Sequence, residues 1–171
     1  MKDVVFRFLR PDSLVGRLIC WRLGEPWSHV AIIIDDAAYS AQIPWVAMLP
    51  LTDKDVAIPP RSGKDVVLNM TEWEARKIKE WCESQVGRDY DFLSVIGWAL
   101  GWKWLQSRSN SYCFEFCYKA LVQIGWLSPD DEDLIKGNKL IEDIELYLHE
   151  KGISHFCNIC VDTHEVCDHH E

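Results

Sequence analysis

The sequence predicts an α+β domain in which an antiparallel sheet packs against helices. Three observations carry this. A chain of 171 residues supplies one core plus short appendages, because a domain takes ~100 to 200 residues. Short β-branched runs broken by turn residues fill its first part, the pattern of strands. Capped segments with apolar residues at helical spacing fill much of the remainder, the pattern of helices. Hydrophobic residues make up 48% of the chain, which excludes disorder for its bulk.

Val4 to Phe8 is a candidate opening strand. From Ser13 to Leu23, residues Leu14, Leu18, Ile19 and Cys20 follow helical spacing, and Gly24 is a natural stop. SHVAIII, the turn-like Asp35-Asp36 and AAYSAQI make a hairpin, and Trp45 to Leu49 and Val66 to Met70 read as further strands around a loop with Pro59, Pro60 and Gly63. Thr71 and Glu74 have capping-box spacing, in which hydroxyl and carboxylate each satisfy an orphan N–H. The helix they open runs to about Val86, keeps Ala75, Ile78, Trp81 and Cys82 on one face, and ends at Gly87. After a Trp-rich stretch from Phe92 to Leu105 and the polar loop QSRSNS, CFEFCYKALVQIG forms a helix with Phe114, Cys117, Leu121 and Ile124 on one side and Gly125 as its C-cap. A last helix spans Leu134 to His149. No internal repeat is visible.

Eighteen basic against 27 acidic residues give a net charge of -9, a poor basis for gripping a phosphate backbone, so nucleic acid is set aside. No apolar run reaches the ~18 to 20 residues of a transmembrane helix. Asp3, Arg7 and Arg10 interrupt the place where an export signal needs apolar residues, and the seven Cys are an odd count. The expectation is a cytoplasmic, reducing location, with thiol chemistry or metal binding in place of a disulfide framework.

Cys113 falls in the first turn of its helix. There, backbone N–H groups and the positive end of the helix dipole favour thiolate and can stabilise an oxyanion. A buried small hydrophobe is the other use of a cysteine at that position. His29, at the head of an apolar strand, has a rigid mount from which an imidazole can take a thiol proton and return it to a leaving group. His155, downstream of Cys113, is an alternative base, but the run after it is interrupted by Asn158 and two cysteines, whereas SHVAIII is unbroken. Ser40 and Gln42 share one face of the hairpin's second strand, and either can orient the imidazole; Gln42 reaches further.

The pieces PWSHVAIII, AYSAQIPWVAMLPL, VGRDYDF and SYCFEFCYKAL, spanning about Val5 to Leu127, resemble the NlpC/P60 superfamily of papain-like cysteine hydrolases. The resemblance is to the circularly permuted branch with the YiiX-like and lecithin retinol acyltransferase-like proteins, in which His precedes Cys. It implies a permuted papain-like fold and cleavage of an amide or ester, in a cell-wall peptide, another amide or a lipid, through an acyl-enzyme on Cys113 with no cofactor required. It implies His29 as base, with Ser40 or Gln42 as orienting group, and places Tyr90 and Tyr112 beside the substrate. Relatives commonly carry a small residue after the nucleophile and His or Glu as third polar group; this chain has Phe114, and Ser40 or Gln42.

The domain is expected over 1–150, with 151–171 as a Cys/His-rich tail. Cys157, Cys160, His164 and Cys167 supply thiolate and imidazole ligands enough for a structural zinc, and a weakly binding flexible end is the plainer account. Trp98, Trp102 and Trp104 suit an acyl-chain pocket or simply a core. The acidic run Asp130 to Asp133 reads as a solvated cluster at a helix start. From a different class, the chain reads as a catalytically weak or inactive papain-like interaction module with a metal-binding tail.

Overall fold

The computed structural model describes residues 1–59, 61–89, 112–129, 135–152 and 157–160. In chain order these form β1 (Lys2–Leu9), α1 (Leu14–Leu23), β2 (His29–Ile34), β3 (Ala37–Ala41), β4 (Val46–Pro50), β5 (Gly63–Met70), α2 (Glu72–Gln85), α3 (Cys113–Gln123), α4 (Gly137–Glu150) and β6 (Cys157–Cys160). The strands make one six-stranded sheet in the order β4-β3-β2-β1-β5-β6, and every neighbouring pair is antiparallel. The α+β class with an antiparallel sheet against helices is therefore as expected.

Strand β1 lies between β2 and β5, with Val5 opposite both Ile33 and Val67. Side chains alternate along a strand, so each strand divides its residues between two faces. Val4, Phe6 and Phe8 of β1, Val30, Ile32 and Ile34 of β2, and Val66, Leu68 and Met70 of β5 join one core with Ile78 and Cys82 of α2, Phe116, Cys117 and Leu121 of α3, and Leu140 and Ile144 of α4. Ala31, Ile33 and Ala38 face the other way and pack with Val56, from the connection between β4 and β5. Burial on both faces is the reason VAIII reads as an unbroken apolar run.

Two polar devices tie these layers. On the Val56 face, Arg7 donates from Nε and Nη2 to the two carboxylate oxygens of Asp65 at 2.8 and 2.6 Å, and from Nη1 to the Val56 carbonyl at 3.1 Å. One guanidinium thus clips β1 to β5 and to the covering loop. On the helical face, the predicted capping box forms between Thr71 and Glu74, and the second Glu74 oxygen accepts from the Trp126 indole at 2.8 Å. Trp126 stacks in turn on Tyr147 of α4, with centroids 4.7 Å apart. Burial pushes the Glu74 carboxyl up, but the hydrogen bonds from Trp126 and Thr71 outweigh it and hold it below the usual carboxylate range.

Three expectations change. Helix α1 has its predicted caps, Ser13 and Gly24, yet Leu14 and Leu18 face solvent and Cys20 is the buried member of the quartet's described side chains. Helix α4 begins at Gly137; a Cβ there would fall 2.9 Å from Trp27 and 3.0 Å from Phe114, so glycine permits the approach. Cys157–Cys160, set apart as tail, is one of the two edge strands: Cys157 lies opposite Val67 and Cys160 opposite Lys64.

Removing one partner of a buried ion pair strands the other charge. Asp65→Ala is therefore expected to cost about 3 kcal/mol in denaturant unfolding, with Arg7→Met/Asp65→Ala costing clearly less. An additive double variant would show that the pair is not coupled.

Candidate active site

His29 is the first residue of β2 and lies opposite Leu9 of β1. Its Nε2 lies 2.6 Å from Ser40 Oγ. The register that sets Ile32 against Tyr39 and Ile33 against Ala38 runs on to bring Ser40 diagonally beside His29, within reach of a long side chain. Of the two orienting groups expected from the sequence, Ser40 is thus the imidazole's hydrogen-bond partner. Gln42 lies past the end of β3, in a turn where its N–H donates to the Trp45 carbonyl at 3.3 Å. The strand's end explains this, because the longer side chain is attached to backbone that has already turned away.

The surroundings of the imidazole are polar and cationic. Arg61 donates to the carbonyls of Asp55 and Arg10 at 3.0 and 2.9 Å and to Ser28 Oγ at 3.2 Å, and its Nε stands 3.7 Å from an Asp12 oxygen. Burial foremost, and then the Arg61 charge, lower the His29 pKa from 6.5 to about 4, with Asp12 opposing both. At neutral pH the ring is uncharged. If Nε2 carries the proton and donates to Ser40, Nδ1 keeps the lone pair that can accept a proton. Arg61 was not among the residues singled out from the sequence, since a lone arginine in a loop has no periodicity to mark it.

Cys113 opens α3 as expected, and its N-cap is Tyr112, which makes no side-chain cap bond. The Tyr112 hydroxyl donates to the Ile135 carbonyl at 2.9 Å and accepts from the Ile135 N–H at 2.5 Å. It fixes the start of α3 against the segment leading into α4. Phe114 stacks on Phe8 with centroids 6.5 Å apart, and Phe8 meets Trp27 at 5.9 Å. The first turn of α3 therefore sits over the same end of the sheet from which β2 sets out.

The two groups approach that end from different sides. Cys113, 3% exposed, packs in the core shared with Val30 and Ile32. Alternation along β2 gives His29 the face of Ala31 and Ile33, and its partner among the described residues is Ser40 rather than the thiol. The structure thus joins His29 to Ser40 and sets Cys113 at the same end of the sheet across β2. Tyr90, His155, His164, Cys167, Trp98, Trp102, Trp104 and the run 130–133 lie outside the described residues.

The remaining described thiols with resolved surroundings have structural settings. Burial pushes the Cys20, Cys82 and Cys117 thiols up, in the latter two strongly, which favours the unreactive protonated form. Cys157 and Cys160 are in an extended backbone whose rise of ~3.3 Å per residue sets their Cα atoms about 10 Å apart. A zinc held by both thiolates would need that strand to turn. Among the described residues no group of three metal-ligating side chains is present. No protein-family model matches the chain, and no curated protein matches it.

The depressed His29 pKa has a signed consequence. Above pH 6.5 the ring is neutral folded or unfolded; as pH falls from 6.5 through 4 the unfolded chain takes up a proton that the folded state refuses, and stability drops. The loss is expected to reach about 3 kcal/mol. Unfolding at pH 7 and pH 4 should show a larger drop for wild type than for His29→Gln, and the His29 ring resonances should titrate near 4. A midpoint near 6.5 would place the ring in water.

Proposed function

We propose that the chain is a papain-like thiol hydrolase or acyltransferase in which Cys113 attacks the carbonyl of an amide or ester, His29 serves as base and then acid, and Ser40 orients the imidazole. The 2.6 Å bond between His29 and Ser40 carries this reading: a strand-mounted imidazole held by a buried hydroxyl is the base-and-orienter half of a triad. A helix that begins with the cysteine, docked by Phe114 on the same end of the sheet, supplies the other half. The order of His before Cys supports a circularly permuted scaffold.

In the reaction, which requires the His29 ring to reach the face that Cys113 occupies, the thiol proton passes to the imidazole as the S–C bond forms. The imidazolium then protonates the departing amine or alcohol as its bond to the carbonyl carbon breaks. Water takes the same route to release the acid, or a second amine or alcohol takes the acyl group. In this reading the N–H groups at the head of α3 would receive the developing oxyanion. Candidate substrates are peptide amides, such as cell-wall stem peptides, and lipid esters. Because the base loses its proton at about pH 4, the acid limb of the rate profile is expected near 4 rather than 6.5.

A second reading is favoured by one observation. His29 shares the face of Ala31 and Ile33, while Cys113 belongs to the core on the other side, and a chain fixed so would be an interaction module without catalysis. Alkylation separates the two. As an enzyme, the native protein should react with iodoacetamide at Cys113 well ahead of Cys20, Cys82 and Cys117 by peptide-resolved mass spectrometry. His29→Ala should slow that step at least about tenfold. Equal rates at Cys113 and Cys117, unchanged in His29→Ala, would establish the module.

A further inference from the structure

Helix α1 carries exposed apolar side chains in a pattern that its packing does not require. Leu14, Leu18 and Trp21 are 84%, 63% and 76% exposed. At 100° per residue they fall within an arc of about 60°, and the exposed Arg17 and Arg22 stand about 40° beyond either edge. No acidic residue lies within α1. The flanking acids are turned to other work, since Asp12 faces Arg61 at 3.7 Å and a Glu25 oxygen accepts from the Asn138 N–H at 3.1 Å. A chain of net charge -9 thus displays one short helix that is locally cationic and apolar outward.

We propose that α1 is an interfacial helix that docks this protein on an anionic lipid surface. Leu14, Leu18 and Trp21 would enter the boundary between headgroups and acyl chains, with Arg17 and Arg22 extending on either side to lipid phosphates, the arrangement of a helix lying in the interface plane. The complementarity of charge selects the lipid: the rest of the chain repels an anionic membrane, and the two arginines decide which side turns toward it. The caps at Ser13 and Gly24 hold the helix formed before contact, so docking costs little ordering. Docking through α1 is independent of whether Cys113 reacts.

The test is co-sedimentation of the full chain with vesicles of phosphatidylcholine alone and with about one-third phosphatidylserine. Wild type is expected on the anionic vesicles and to leave them as salt rises. Leu18→Ser/Trp21→Ser should lower partition about 100-fold, from two exposed apolar groups no longer buried, without lowering the thermal midpoint. Arg17→Gln/Arg22→Gln should erase the preference for anionic vesicles. Wild type that ignores both vesicles, or a Leu18→Ser/Trp21→Ser protein that partitions like wild type, overturns the proposal. So does a homodimer without vesicle binding that dissociates in that variant, which would assign the face to a second copy. Acrylamide quenching in which wild type and Trp21→Ser give the same accessible fraction would show the chain itself covering Trp21, and would overturn the proposal as well.

Discussion

The two-sidedness of β1 and β2 is the constraint on which the rest of the molecule depends. Each residue of an extended strand belongs to one face or the other, and here both faces are buried. Val30, Ile32 and Ile34 go to the helices, and Ala31 and Ile33 to the Val56 loop. A one-residue slip in register would exchange these sets and bring Arg7 into the helical core in place of Phe6 or Phe8. The Arg7–Asp65 pair therefore fixes register as well as joining strands, because its geometry is met at one alignment only.

The same constraint shapes the candidate chemistry. His29 is the end position of β2, where the chain enters the sheet, and alternation gives its ring to the loop-covered face. Its hydrogen bond to Ser40 belongs to the loop side, and the helix that starts at Cys113 belongs to the other. Burial foremost, and the Arg61 charge with it, make the loop side costly for an imidazolium. A neutral imidazole is a proton acceptor, but a poor partner for a resting thiolate, so activation of Cys113 would come as general-base catalysis during attack rather than as a preformed ion pair.

Much of the fold was legible in the sequence because its signals are local. The Thr71–Glu74 box, the hairpin around Asp35-Asp36 and the helix starting at Cys113 are each specified by neighbours within a few positions. Features that join distant positions were not legible. Choosing between Ser40 and Gln42 required knowing where β3 ends. The outward face of α1 was invisible because apolar spacing gives an arc, not the direction in which it points. Cys157–Cys160 looked like ligands because Cys-x-x-Cys is a compact pattern, while its strand pairing depends on β5, some ninety positions earlier. Tyr112 was expected beside substrate, and its hydroxyl is occupied by the Ile135 backbone, a partner that no spacing reveals.

The position of β6 bears on how the chain is made. Strand β5 is complete once Met70 has been synthesised, but among the described residues the outer row of N–H and C=O groups along its Lys64 to Val67 stretch is covered only when Cys157–Cys160 arrives. At ~5 to 20 residues per second, the nascent sheet spends several seconds or more with that row open, and an open row of this kind templates pairing between chains. Lys64 on β5 puts charge at this margin for that interval. The last described strand is thus also the one that ends the exposure of that stretch of β5 to neighbouring nascent chains.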